Sequence, residues 1–432
     1  MRSSADRARP PDKMVKRRQT LFLIALACAI PRIAAFALWP VDTGTLYYAL
    51  ATSLAQDHRF AIDGESTTYI EPLYPALLAG LQLIFGDNPV ALLLVQIAVA
   101  CAAGMVLFAL TRDQTGDERS AWAAALLYAA SPYLIRQSVS FMEVTMTIAL
   151  LIAATWRIRA IATASQAAMI GILLAGIVLT RASLAPVVVC GLILVARRDG
   201  AARALVAAAM LAACVGPWMI FSRTTQGAVL PARIGENLFV STSALAEPIV
   251  PRYNVDLLMP LVEDIAHAEM TRRGVPDRLA ERDRLLLELT ADYIRAAPLR
   301  ALGLKLRNLA YIFQPRLLPF YERRGMATLM DGRVQIPEQG RRPFVFEAAA
   351  AGYQTLLIAA AVAGIATRRR RLRDDAFLLI VAGSVIAVNA IFFPTSRLLA
   401  PMTFVWMFYA GAVVPLITSA KLAEDRFDGA SH

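Results

Sequence analysis

Three acidic and several basic side chains stand where an apolar chain has least reason to keep them. Asp42, within Trp39-Pro40-Val41-Asp42-Thr43-Gly44-Thr45-Leu46-Tyr47-Tyr48, follows the first long apolar segment. Glu71 lies in Tyr69-Ile70-Glu71-Pro72-Leu73-Tyr74-Pro75, and Glu143 opens a later apolar run. Arg32 falls in the outer half of the first such run, and Arg136, Arg181 and Arg397 lie at the ends of others. Ionisable groups near hydrocarbon are costly, so they commonly pair with one another or line a polar cavity. A carboxylate at a bilayer edge points to chemistry at the membrane surface. Arginine there suits an anion, and phosphate in particular, because the planar guanidinium donates two hydrogen bonds at once. Plainer readings stand beside these. Each arginine can snorkel to the headgroups, Glu71 can cap a helix, and Glu143 can answer the positive end of one.

The elements that must position these groups follow from composition. The 432-residue chain is 57% hydrophobic, with a mean hydropathy of +0.53, more apolar side chain than a soluble core of this length buries. It reads as an all-α polytopic membrane protein. Apolar runs at 21–38, 89–110, 121–134, 144–156, 166–179, 184–196, 204–221, 348–366, 376–393 and 398–420 give about ten transmembrane helices. Lys and Arg in the short loops set the orientation. Arg2, Arg7, Arg9, Lys13, Lys16, Arg17 and Arg18 hold the N-terminus in the cytoplasm, and alternation then places Arg112, Arg157, Arg197 and the run Arg368–Arg371 inside as well. The organisation expected is a cytoplasmic tail 1–20, an N-terminal membrane module 21–222 with an outer loop 40–88, an outer region 223–346, C-terminal transmembrane helices 347–420 and a cytoplasmic tail 421–432. The first apolar run is too long, and lacks a small-residue cleavage site, for a secretory signal.

The net charge of +11 fits cytoplasmic anchoring and anionic lipid, and no nucleic-acid-binding motif occurs. Cys28, Cys101, Cys190 and Cys214 all fall in apolar runs and supply neither a disulfide framework nor a metal site. His58, His267 and His432 are far apart, so no metal is secured, and a divalent cation stays open.

Two outer segments carry further helices. Residues 76–85, bounded by Pro75 and Gly86, read as a short interfacial helix with Tyr69 and Tyr74 at headgroup depth, which brings Glu71 near the surface that Asp42 shares. In the larger region, 277–296 reads as a helix between Pro276 and Pro298, and 299–313 combines Leu302, Leu306 and Leu309 with Arg300, Lys305 and Arg307 in a basic amphipathic pattern. That second helix either covers a site or packs the loop onto the membrane domain. Residues 316–342, rich in charge, Gly and Pro, read as a mobile flap.

The order Asp42 with Tyr47-Tyr48, Glu71-Pro72-Leu73-Tyr74-Pro75, Ser140-Phe141-Met142-Glu143, Gly176 with Thr180-Arg181 and Pro186 resembles the membrane glycosyltransferases of the C-type fold. The likeness is to glycosyltransferase family 39, the protein O-mannosyltransferases and the lipid A aminoarabinose transferases. Gly216-Pro217-Trp218 through Arg223, Gly235-Glu236-Asn237-Leu238, Glu281 to Pro298 with Lys305, and Ser396-Arg397-Leu398-Leu399-Ala400-Pro401 extend it over nearly the whole chain. Many relatives carry an aromatic and a second basic residue where this chain has Leu398-Leu399.

The resemblance implies transfer of a sugar from a polyprenyl-phosphate donor to a lipid, glycan or protein acceptor on the outer side of the inner (cytoplasmic) membrane. Asp42 would be the base that takes the acceptor proton. Arg181 and Arg397, with Arg136 and Lys305, would hold the phosphate, and Glu71 and Tyr48 would contact substrate. Glu143 would be a second carboxylate at the acceptor, the sugar or a cation. One displacement at the anomeric carbon would invert its configuration, with retention through a covalent sugar intermediate the alternative. A transporter or lipid flippase, or a non-catalytic assembly subunit of the same fold, is the alternative. Transporters, however, place their binding residues near the midplane on broken helices, whereas these charges gather at helix ends.

Overall fold

The computed structural model describes residues 11–414 apart from 160, 228–232, 277, 323–324 and 331–332. Arg2, Arg7, Arg9, Asp277, the end of the last expected span at 415–420, and the tail 421–432 with His432 lie outside the described residues.

The chain is a multi-pass membrane protein built from helices. The first part of the chain holds α1 (Pro11–Leu38), α2 (Leu46–Gln56), α3 (Leu73–Phe85), α4 (Pro89–Thr115), α5 (Glu118–Ala130), α6 (Pro132–Ser138), α7 (Val144–Arg157), α8 (Ala164–Thr180), α9 (Ala185–Asp199) and α10 (Ala201–Gln226). The long region that follows contributes α11 (Ile234–Ser241), α12 (Ala246–Ile249), α13 (Met259–Arg273), α14 (Leu279–Ala296) and α15 (Pro298–Ile312). The chain then returns through α16 (Phe344–Thr367), α17 (Ala376–Ile391), α18 (Ser396–Leu399) and α19 (Thr403–Gly411). Among the described residues, four helices are long and apolar enough to cross a membrane: Val15–Leu38 within α1, α4, α10 and α16. The apolar helices α3, α7, α8 and α17 are shorter.

Proline decides where two expected spans break. The run 121–134 becomes α5 and α6, because Pro132 has no N–H to continue a helix and pushes Ser131 to extended backbone (φ −65°, ψ 111°). Ser131 then caps α6, whose first position suits proline. Likewise the run from 398 starts as α18, tightens to a 3-10 turn at Ala400–Met402 around Pro401, and resumes as α19. Both breaks create short turns at one end of the bundle.

Around α4 pack α1, α5 and α7, while α8 joins α7 to α10, α16 lies on α19, and α17 lies on α9 and α15. Arg32 departs from its expected place among the surface charges. It is 0% exposed and donates from Nη1 to the Cys28 carbonyl at 2.9 Å and the Ala129 carbonyl at 3.4 Å, and from Nη2 to the Tyr128 carbonyl at 3.4 Å. The last carbonyls of a helix have no partner within it, so Arg32 closes the C-terminus of α5 and serves the core.

The loop 40–88 folds on itself. Thr45 caps α2, a turn at Asp63 (φ 50°) and Gly64 (φ 82°) joins β1 (Ala61–Ile62) to β2 (Glu65–Ser66), and α3 packs on α2 over Leu50, Leu78 and Phe141. The expected interfacial helix is α3, with Leu83, Ile84 and Phe85 exposed. Region 223–346 has a second core of Phe239, Leu257, Leu258 and Leu286, joined by Phe393. On α15 the leucines of the amphipathic pattern, Leu299, Leu302, Leu306 and Leu309, are exposed, while Ala301, Leu304, Asn308 and Ile312 are buried. This helix therefore packs by its small and mixed face along α17, where Asn308 Nδ2 donates to the Phe392 carbonyl at 2.8 Å. Its leucine stripe is left exposed. The expected flap instead carries two ladders, β3 (Tyr321–Glu322) with β6 (Gly340–Arg341), and β4 (Thr328–Met330) with β5 (Arg333–Gln335).

Candidate active site

Three sequence-distant turns meet at one end of the bundle. Glu143 is the residue ahead of α7, Arg181 the residue that ends α8, and Arg397 lies in α18 behind the Thr395 cap. Glu143 is 2% exposed and its Oε1 accepts from Arg181 Nη2, with Arg397 Nε at 3.8 Å. Arg181 Nη1 donates to the Arg397 carbonyl at 2.7 Å, so one buried guanidinium fixes both the carboxylate and the backbone of the second arginine. Burial pushes the Glu143 carboxyl up, but Arg181 and Arg397 together outweigh it and hold the group well below the usual carboxylate range. The Tyr47 phenol lies beside it, and its hydrogen bond to the carboxylate adds to the lowering.

The two arginines do different work. Arg181 is spent on its neighbours, whereas the Arg397 side chain is 45% exposed. Two guanidiniums against one carboxylate leave the turn positive, with Arg397 the arginine that can reach an anion. Arg136 is farther along the rim, over the Trp39 ring at 5.4 Å and donating to Ser140 Oγ at 3.2 Å, where it holds the start of the loop that contains Asp42.

Asp42 is exposed in that loop, and its Oδ1 accepts from the Gly44 N–H at 2.9 Å. The loop feeds directly into α2 and so into Tyr47. Glu71 is turned to a positioning task, since its Oε1 accepts from the Ala182 N–H at 2.7 Å and thereby ties loop 40–88 to the turn that carries Arg181. Burial raises its carboxyl pKa despite that bond. Tyr48 is buried away from the triad, bonded to Asp87 and tilted against Phe141. Lys305, on α15, donates to Ser241 Oγ at 3.1 Å with no carboxylate partner among the described residues, and burial lowers it to about 8.

Residues that sequence reasoning did not single out complete the site. Tyr47 and Tyr133 both sense the charges of Glu143, Arg181 and Arg397, and the charge of Asp256, from the long region, acts on Arg397. Arg233 stacks on Tyr69 at 3.7 Å, donates to its hydroxyl at 2.9 Å and pairs with Glu236 at 2.8 Å, which clamps α11 to loop 40–88. The cue for Tyr47 was the adjacent Tyr48. For the others, no spacing marks partners so far apart in the chain.

The donor set assigns no divalent cation among the described residues. Such ions take several oxygen ligands, yet among the described residues no group of three or more His, Cys, Asp or Glu side chains is gathered to hold one. The buried carboxylate is already neutralised by guanidinium.

Over 98% of its length the chain superposes on the archaeal oligosaccharyltransferase AglB from Archaeoglobus fulgidus, solved with an inhibitory peptide and a dolichol-phosphate, at a TM-score of 0.57 and 15% identity. The fold is that of the C-type glycosyltransferases. The chain matches only 52% of that protein's length. ArnT from Cupriavidus metallidurans, bound to undecaprenyl phosphate, is matched at a TM-score of 0.41 and 13% identity, over 92% of this chain and 78% of that one. Residues 72–236 match the family described as Predicted membrane protein (DUF2079). No curated protein matches the sequence.

Proposed function

We propose that this chain moves a sugar from a polyprenyl-phosphate carrier to an acceptor at the outer face of the cytoplasmic membrane, with both termini inside. The observation that carries the reading is the Glu143–Arg181–Arg397 arrangement. It fixes one guanidinium, exposed on one flank, at the mouth of a bundle with a glycosyltransferase fold. The oligosaccharyltransferase of that fold was solved with a dolichol-phosphate, which supports a lipid phosphate as the anion here.

Arg397 binds the phosphate, and Arg181 acts through it by holding its backbone. The chemistry then needs little more than positioning and charge compensation, since a lipid phosphate is already a competent leaving group. The acceptor hydroxyl oxygen forms a bond to the anomeric carbon as the bond from that carbon to the phosphate oxygen breaks. The electron pair leaves with the phosphate, and the hydroxyl proton passes to Asp42, exposed on the loop above. Configuration inverts in this single displacement. Glu143, the second carboxylate of the site, takes a hydrogen bond from a hydroxyl of the sugar or the acceptor.

The test incubates purified wild type and Asp42→Asn with a panel of polyprenyl-phosphate sugars and membrane extract. Loss of the base should slow transfer by roughly 10²–10⁴-fold while leaving thermal stability unchanged, because Asp42 is exposed. Equal turnover removes Asp42 as the base. Wild type that turns over no donor but moves lipid across liposomes overturns the enzyme reading in favour of a flippase.

A further inference from the structure

A cavity of about 510 Å³ opens in the long region, lined by Tyr253, Tyr321, Glu338, Gln339 and Arg341 with Ile336 and Pro337 behind. That volume falls in the range of small-ligand sites. The β3–β6 ladder sets it up. Tyr321 stands directly opposite Arg341, so both side chains leave one face of the ladder. Tyr253 stacks on Tyr321 with centroids 4.9 Å apart and planes 15° from parallel, and the Phe320 N–H, bonded to the Arg252 carbonyl at 2.8 Å, locks the two segments together. The result is an aromatic stack beside a carboxylate, an amide whose Nε2 donates to the Pro337 carbonyl at 2.8 Å, and a guanidinium that lies over the Tyr321 ring at 5.8 Å.

This lining selects among ligands. The single negative charge of Glu338 is balanced by Arg341, so the cavity has no net attraction for phosphate or for a strongly charged peptide. Its groups accept and donate in comparable number, which suits a molecule dense in hydroxyls, and the aromatic stack suits one that also offers a flat apolar face. A neutral sugar residue has both properties.

Position links the cavity to the candidate active site. Leu318 N–H donates to Ser396 Oγ at 2.8 Å and Ser396 N–H to the Leu318 carbonyl at 3.0 Å, and Arg397 is the next residue. Tyr321 follows Leu318 by three residues, at most about 10 Å of extended chain. We infer that this cavity is an acceptor-side subsite that binds a neutral carbohydrate residue, so that a glycan held there presents a neighbouring hydroxyl to the donor at Arg397. The inference of an acceptor role rests on the glycosyltransferase reading, whereas carbohydrate binding does not.

The test uses the full-length protein in detergent without donor. Saturation-transfer NMR is run against a panel of neutral oligosaccharides of glucose, galactose, mannose and N-acetylglucosamine, with acidic and basic peptides alongside. Wild type binds at least one neutral oligosaccharide, Glu338→Gln and Tyr253→Ala each weaken it by roughly tenfold, Tyr253→Phe keeps most of the binding, and Arg397→Ala leaves it unchanged. No binding by any oligosaccharide, equal binding by Glu338→Gln, or capture of a peptide in preference to every sugar overturns the inference. Binding that survives while wild type transfers no sugar would refute the enzyme reading and the acceptor role with it, leaving carbohydrate binding. Transfer to a non-carbohydrate acceptor undiminished by Glu338→Gln would refute the acceptor role alone.

Discussion

Replacing Arg181 by Ala should be among the most damaging single changes at the rim, and its size follows from what the side chain touches. Arg181 is 4% exposed, pairs with a Glu143 carboxylate that is 2% exposed, and donates to the Arg397 carbonyl at 2.7 Å. Without it, Glu143 faces only Arg397 Nε at 3.8 Å. Leaving one member of a buried ion pair uncompensated costs about 3–5 kcal/mol. The pH dependence separates this cause from lost packing. In wild type the Glu143 pKa is lowered from 4.5 to about 2, so its contribution is fully present above pH 4.5 and lost as pH falls toward 2. In Arg181→Ala the burial that raises this carboxyl is opposed by one arginine only, so its pKa rises and protonation relieves the strain. The deficit against wild type should therefore shrink as pH is lowered from 7.5 to 5. Unfolding of the detergent-purified proteins, followed by thermal melts and denaturant titration at several pH values, measures it. The double variant Glu143→Leu with Arg181→Met should recover much of the stability, since an apolar pair of similar volume is often neutral, yet stay inactive. A deficit below about 1 kcal/mol, or one that does not change between pH 5 and 7.5, would refute the reasoning.

Other perturbations separate binding from folding. Arg397→Ala, at a side chain 45% exposed, should weaken polyprenyl-phosphate binding by roughly 10–100-fold in a lipid-binding assay, with a melting temperature close to wild type. Lys305 has its pKa lowered from 10.5 to about 8, so the folded state loses stability as pH falls from 10.5 to 8 and the unfolded chain alone takes up the proton. Lys305→Met should then be more stable than wild type at pH 7 by about 1 kcal/mol once solvent screening and the lost bond to Ser241 are set against it, and that advantage should be lost as pH rises to 10.5. Gly364 sits where an added methyl would overlap the Tyr409 carbonyl. Gly364→Ala should push α16 off α19 and lower stability by about 1–3 kcal/mol, read as a drop in melting temperature and in detergent-resistant yield.

How much of this was legible in sequence depends on the range over which each cause acts. Apolar runs and the residues that end them are local, so the helical membrane architecture was readable, and Pro132 and Pro401 in fact mark where two of the runs break. Charges opposed to an apolar setting are also local signals, and Glu143, Arg181 and Arg397 drew attention one at a time for that reason. Their mutual geometry was not local. That Arg181 spends itself on Glu143 and on the Arg397 carbonyl, leaving Arg397 to face outward, depends on three turns from separate helices meeting. The same limit explains Arg32, which has the type and depth of a rim residue but is claimed by the open carbonyls at the end of α5. Tyr47 and Tyr48 show the finest grain of the problem. Consecutive helical residues point about 100° apart, so the orientation of α2 alone decides that Tyr47 faces the Glu143 carboxylate while Tyr48 turns to Asp87, and that orientation is set by the contact of α2 with α3. Glu71 completes the case. Pro72 suggested a capping role on its own helix, yet the carboxylate reaches across to the Ala182 N–H. The same bond makes loop 40–88 and the arginine turn one mechanical unit, so a change that loosens Glu71 should disturb Arg397 without touching it.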